Sequence, residues 1–216
     1  MNINTPKFWD KQFKDEYRFY EKKKTLITQC DWRWNGAKFG QLGATVGFTG
    51  KLLDIGCGLG HFCRYIKARS IDLEVTGMDF SKFSIKKAKG LSDKINMDID
   101  FVVGDAQELP FEDNSFNYVV SSDVIEHLDD PDKHLMEIKR VLKKGGIAIV
   151  LTPWKNLINK EGLISEEHVQ EWTPDELSVL MTKYFGGGRV SLPPVMLDII
   201  TKKITYKYWF TAISIK

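Results

Sequence analysis

The chain has 216 residues, 43% of them hydrophobic, and a formal net charge of +2, so it can bury one substantial core but lacks the basic footprint of a nucleic-acid-binding domain. Three cysteines, Cys30, Cys57 and Cys63, without C-x-x-C spacing argue against both a disulfide framework and a zinc knuckle and fit a reducing compartment. With no apolar run of membrane-spanning length and no signal-like segment in Met1–Phe13, a cytoplasmic protein with a small-molecule partner is expected, its oligomeric state left open.

Thr5-Pro6 is a helix start, and Phe8, Trp9, Phe13, Tyr17 and Tyr20 recur near helical spacing before Glu21-Lys22-Lys23-Lys24. Residues 1–50 are therefore read as an added helical segment, either packed on the main domain or acting as a lid over the substrate. From Lys51 to Pro153 short β-branched runs alternate with amphipathic stretches, the pattern of a parallel sheet wound with helices. The expected strands are Lys51–Ile55, Leu73–Met78, Asp98–Val103, Phe116–Ser121 and Gly146–Leu151. Helices are expected near Gly60–Arg69, Ser81–Lys94 and Pro131–Lys143, the last opened by Asp130-Pro131 and closed by Lys143-Lys144-Gly145-Gly146. In residues 154–216, Thr173-Pro174-Asp175-Glu176 carries a cap, a first-turn proline and a capping-box glutamate, so a helix should start there and stop at Gly186-Gly187-Gly188. Arg189–Leu192 and Ile204–Ile215 read as two more strands, the second alternating with period two as a sheet edge would.

The segment Lys51-Leu52-Leu53-Asp54-Ile55-Gly56-Cys57-Gly58-Leu59-Gly60 runs a strand into a turn with glycines at every second position, where the backbone can take positive φ and a ligand can approach closely. A carboxylate at Asp54 would repel the pyrophosphate of a dinucleotide, but it favours the sulfonium and ammonium charges of S-adenosylmethionine. Asp79 closes the next strand, placed to accept from both ribose hydroxyls, and Gly104-Asp105-Ala106 follows the third, where an acid can accept from the adenine amino group. The expected cofactor set is thus Asp54, Gly56, Cys57, Gly58, Gly60, Asp79, Phe80, Asp105, Ala106 and Ser121.

Leu53–Gly60, Gly77-Met78-Asp79, Gly104–Phe111, Ser115-Phe116-Asn117 and Val141–Gly146 resemble the class I methyltransferases of type 11, a family that includes quinone-biosynthesis methyltransferases. The resemblance covers about Lys51 to Pro153. It implies a Rossmann-like α/β fold, a seven-stranded mostly parallel sheet with its last strand antiparallel, flanked by helices. It also implies that Asp54 and the glycines border the methionine part of the cofactor, Asp79 the ribose, and Asp105 with Ala106 the adenine. The activity implied is methyl transfer to a small molecule, with oxygen the expected acceptor atom.

Transfer from a sulfonium needs mainly proximity and orientation, but a phenol or alcohol must also lose a proton. Of four histidines, His61 is expected to pack on the cofactor side and His134 to face solvent. His127, directly after the fourth strand, and His168 are the candidate catalytic residues. Asp123-x-x-Glu126-His127 can place two carboxylates and an imidazole on one turn, and with His168 they form a candidate set for a divalent ion such as Mg²⁺. The segment Glu166–Thr173 resembles the one supplying a distant histidine in small-RNA terminal 2′-O-methyltransferases. Those enzymes and some ubiquinone-pathway O-methyltransferases carry a Glu-x-x-Glu-His metal motif, from which Asp123 departs by one methylene. Three readings stay open for His127: a packing role, a metal-free base and a metal ligand. Trp32, Trp34, Trp154, Trp172 and Phe8 lie in segments that can roof the site, and Lys22-Lys23-Lys24 and Lys202-Lys203 read as solvated faces. The alternatives to a small-molecule enzyme are a metal-dependent RNA 2′-O-methyltransferase and a non-catalytic S-adenosylmethionine-binding partner protein.

Overall fold

The computed structural model describes residues 5–22, 49–153, 167–187, 189–191 and 209–216. Cys30, Trp32, Trp34, Trp154, Glu166, Lys23-Lys24, Leu192 and Lys202-Lys203 lie outside the described residues. The elements are α1 (Pro6–Lys22), β1 (Gly50–Ile55), α2 (His61–Arg69), β2 (Leu73–Asp79), α3 (Lys82–Asp93), β3 (Asp100–Val103), β4 (Phe116–Ser122), a 3-10 turn (Ile125–His127), α4 (Pro131–Val141), β5 (Leu142–Pro153), α5 (Pro174–Phe185), β6 (Arg189–Ser191) and β7 (Trp209–Ile215).

Helix starts follow from their caps. Asp130 accepts from Lys133 N at 2.9 Å ahead of Pro131, and Ser81 accepts from Ser84 N at 3.1 Å. Thr173 and Glu176 close a reciprocal capping box, with Glu176 N to Thr173 Oγ1 at 3.2 Å and Thr173 N to Glu176 Oε2 at 2.8 Å. Gly186 ends that helix in the left-handed conformation at φ 75°.

Among the described residues one sheet has seven strands in the order β3-β2-β1-β4-β5-β7-β6. β1 pairs in parallel with β2 and β4, while β7 runs antiparallel to both β5 and β6. The period of two in the strands divides the core into two layers. Leu53, Ile55, Val119, Ala148 and Val150 face Leu135, Ile138, Val141, Leu177 and Met181. Leu52, Val75, Val120, Ile149 and Leu151 face Phe62, Cys63, Ile66 and Ile85 on the other side. β2 and β4 flank β1 on opposite sides, so the chain reverses its winding there and leaves a crevice beyond the strand tips.

Two expectations change. The last strand is not at the edge: it lies between β5 and β6, hydrogen-bonded on both sides, and β3 and β6 are the edges. Its alternation reflects two unlike faces, with Ser214 buried and Ile215 62% exposed, and that signature is the same for an edge and an interior strand. The helix expected to reach Lys143 ends at Val141, because Leu142 already pairs with Phe116; the register then shifts so that Tyr118 faces Ile147.

Candidate active site

The glycine turn between β1 and α2 holds Gly56, Gly58 and Gly60 at φ 72°, 52° and 73°, the left-handed region that glycine alone enters without strain. Gly56 N and Cys57 N bond to Met78 O at 2.8 and 3.0 Å, so the turn folds over the tip of β2. A Cβ on Gly56 would collide with the Val124 side chain. Asp79 is only 6% exposed, and its two oxygens accept from Gly58 N at 2.9 Å and Ser81 N at 2.8 Å. Burial pushes its carboxyl above the ordinary carboxylate range, an effect opposed by those two amides. A carboxylate offers about four acceptor sites, so hydroxyl donors can still be received there.

A cleft of ≈ 230 Å³ opens over this turn. Of the residues expected to hold a cofactor, Gly56, Asp79, Phe80, Asp105 and Ala106 line it. Asp105 accepts from Gln107 N at 2.8 Å, which shapes the loop after β3, and Ala106 O accepts from His134 Nδ1 at 2.8 Å. Asp54, Cys57, Gly58, Gly60 and Ser121 are not among the lining residues. Asp54 is 3% exposed beneath the turn and accepts the Cys63 thiol at 3.1 Å. The Ser121 hydroxyl is paired with His134 Nε2 at 2.9 Å.

His134 therefore does not face solvent. It is fully buried, bridging Ser121 at the tip of β4 and the loop after β3, and burial lowers its pKa to about 4. Because Nδ1 meets a carbonyl it must donate, so Nε2 accepts from the Ser121 hydroxyl. Its place in the sequence resembled an exposed helical turn because the residue following it by one, Leu135, already filled the apolar stripe. His61 is held against Arg64, with Nδ1 and Nη2 at 3.2 Å, and lies away from the cleft lining.

The cleft roof comes from α1. Trp9 and Phe13 line it, and Trp9 meets the His127 ring edge-on at a centroid distance of 4.9 Å. Asp10 anchors the helix on the start of α3 by accepting from Phe83 N at 3.1 Å and from the Ser81 hydroxyl, and Gln12 donates to Glu167 at 2.8 Å. Phe8, one of the expected roofing rings, meets Trp9 edge-on instead, and Trp172 sits in the core against the α4–α5 layer. Trp9 and Phe13 were visible as part of the α1 stripe; nothing in the spacing singled out these two as the pair facing the ligand.

His127 lines the far wall. Its Nδ1 donates to Glu167 O at 2.8 Å, which leaves Nε2 with the lone pair. Burial lowers its pKa, opposed by that carbonyl. Val169 N bonds to Glu126 O at 2.8 Å and Gln170 Nε2 to Leu128 O at 3.3 Å, so the 3-10 turn is fastened to the segment after residue 166. This fastening sets His168 beside His127, ring centroids 5.1 Å apart. Glu126, His127 and His168 each offer a ligand atom, and these lie within 4.8 Å of one another. Asp123 is not in that group. It takes φ 55°, accepts from Ser122 Oγ at 2.9 Å, and faces the cleft. A left-handed residue re-aims its side chain, and spacing along the chain carries no sign of that.

Residues 53–150 match a family described as a methyltransferase domain. A ubiquinone/menaquinone biosynthesis C-methyltransferase of Desulfotalea psychrophila is 35% identical over 141 residues, covering 62% of this chain and 54% of the relative. A chloroplastic tocopherol O-methyltransferase of Arabidopsis thaliana is 32% identical over 137 residues, covering 62% and 38% respectively. The chain thus spans about half or less of the length of these curated relatives. A crystal structure of a SAM-dependent methyltransferase from Aquifex aeolicus superposes with TM-score 0.66 at 20% identity, covering 90% of this chain and 97% of that one, a likeness of fold. With the strand order and the glycine cradle already described, these matches make residues 53–150 of the chain similar to a methyltransferase domain.

Proposed function

We propose that the chain transfers a methyl group from S-adenosylmethionine to an oxygen of a small molecule held in the cleft beside His127. The observation that carries the donor is the charge of the cleft. Asp79, Asp105, Asp123 and Asp129 line it, and no lysine or arginine does among the described residues. A pyrophosphate would be repelled there, whereas a nucleoside bearing sulfonium and ammonium charges is favoured. The left-handed turn at Gly56, which lines the cleft, fits the same group. When bound, the donor supplies a methyl group already activated on its sulfur.

The residues divide the remaining work. Asp79 receives the ribose hydroxyls, Asp105 and Ala106 flank the base, and the Gly56 turn borders the methionine part. Trp9 and Phe13 cover the cleft and exclude water. The acceptor is oriented against the imidazole of His127, and its hydroxyl proton leaves through the cluster of Glu126, His127 and His168. A neutral amine can attack without first losing a proton, so the buried cluster beside the cleft favours an acceptor that must give one up, and we assign that acceptor to oxygen.

The test is transfer of labelled methyl from S-adenosylmethionine to a panel of phenols, alcohols and amines sharing one ring. His127→Ala should bind the donor with unchanged affinity and lose roughly 100-fold or more in turnover of the hydroxyl acceptors. Label appearing only on nitrogen or carbon, or equal turnover in the variant, would refute the assignment to oxygen.

A further inference from the structure

We propose that the outer face of α1 and α3 is a docking surface for an anionic lipid bilayer, on which the protein sits peripherally by charge. The surface lies outside the helix whose inner side roofs the cleft, and it needs neither the donor nor the acceptor assigned above to be correct.

The face is built from two rows of cations. On α1, Lys7, Lys11, Lys14 and Arg18 follow at intervals of four, three and four residues, so they stand in one line about 16 Å long, and all are exposed. On α3, Lys82, Lys86 and Lys89 repeat that spacing and are exposed as well. The two helices are fastened together: Asp10 accepts from Phe83 N at 3.1 Å, and the Tyr17 and Phe83 rings meet edge-on at 6.1 Å. Lys87 Nζ lies over this seam, 4.1 Å from the Tyr17 centroid and 5.6 Å from that of Phe83, and Lys14 Nζ is 5.6 Å from the Phe83 centroid. Among the described residues, the exposed acids of the two helices are Asp15, Glu21 and Asp93. Asp15 pairs with Arg18 at 3.5 Å and Asp93 with Lys89 at 3.4 Å. Seven exposed cations against three exposed acids leave this face positive on a chain whose formal charge is only +2.

The kind of partner follows from what accompanies the charge. Protein interfaces draw most of their energy from buried aromatic and aliphatic anchors. Among the described residues the exposed large apolar side chains, Ile71, Val103, Met136, Val169, Val179 and Ile215, all lie outside α1 and α3. Single-stranded nucleic acid needs open rings on which bases stack, whereas Tyr17 and Phe83 are covered by lysines. A lysine on its flexible stem is a point charge without fixed hydrogen-bond geometry, which suits a fluid array of headgroups. Anionic lipid strengthens binding by about a factor of five for each cation held close to it. Docking in this way sets α1 between the bilayer and the cleft, with Trp9 and Phe13 turned from the lipid toward the cleft.

The experiment is co-sedimentation of the full chain with sucrose-loaded vesicles of phosphatidylcholine, alone or mixed equally with phosphatidylglycerol, at low and at raised NaCl. Binding to the mixed vesicles alone, weakening steeply with salt, is expected. The triple variant Lys7→Gln, Lys11→Gln, Lys14→Gln should lower the partition coefficient about 100-fold, and so should Lys82→Gln, Lys86→Gln, Lys89→Gln. A control, Lys133→Gln, Lys139→Gln, Lys183→Gln, removes the same charge from α4 and α5, which pack on the other side of the sheet. Its partition should stay within about threefold of the parent's, because screening confines the attraction to cations near the lipid. Thermal midpoints show that each variant is folded. No sedimentation with mixed vesicles at low salt, equal sedimentation with neutral vesicles, parental partition in either row variant, or an equal loss in the control would each overturn the proposal. Tighter binding to oligouridylate than to mixed vesicles at equal phosphate, lost in the same row variants, would give the face to nucleic acid and overturn it too. Vesicle binding as described without methyl transfer leaves the surface standing and removes the catalytic proposal.

Discussion

Lowering the pH should unfold this protein through His134. The ring is fully buried between Ser121 and Ala106, and its pKa falls from 6.5 to about 4. The neutral ring is the form that the fold accommodates, so the unfolded chain binds the proton first. Stability from this group is complete above the unfolded pKa of 6.5 and is lost as pH falls from there toward 4. The full difference corresponds to about 3 kcal/mol, of which about 2 kcal/mol disappears between about pH 7 and pH 5. His61, also lowered to about 4 by burial beside Arg64, contributes in the same window, so the parent protein alone cannot isolate one ring. Urea unfolding followed by tryptophan fluorescence at several pH values, compared between the parent and His134→Gln, separates them. The glutamine retains a donor and an acceptor but binds no proton, so its stability should fall by about 2 kcal/mol less over that interval. Parallel curves for the two proteins would refute both the buried neutral ring and its bridging role.

Two further outcomes test the cradle. Asp79→Asn replaces an acceptor facing the Gly58 and Ser81 amides with a group that is half donor, so affinity for S-adenosylhomocysteine by calorimetry should drop about 10-fold or more; affinity within about twofold of the parent would remove Asp79 from the ribose site. Gly56→Ala places a methyl against Val124 at φ 72°, so the urea midpoint should fall by the equivalent of roughly 1–3 kcal/mol, and an unchanged midpoint would show that the turn has another conformation.

The α1 helix shows how packing and ligand contact combine in one stripe. Asp10 binds the start of α3, while Trp9 and Phe13, on the same helix, turn to the cleft. Among the described residues no helix is long and apolar enough to cross a membrane.

The sequence by itself determined what depends on near neighbours. The left-handed glycines at Gly56 and Gly58, the capping box at Thr173 and Glu176, and the period of two in β1, β4 and β5 are consequences of sterics and hydrogen bonds within a few residues, and they appear where the pattern put them. Asp79, Asp105 and His127 could be placed at the crevice because a strand's end fixes where the next residues stand. Tertiary structure alone decided direction and partnership over distance. It turned His134 inward onto Ser121, hid Asp54 behind the turn against Cys63, paired Asp123 with the Ser122 hydroxyl, and set β7 inside the sheet. It also brought His168 to His127 across 41 residues, by backbone hydrogen bonds to Glu126 that no local spacing encodes. The reason is physical: which way a side chain points past a single irregular residue is settled by the atoms it meets, and those atoms come from distant parts of the chain.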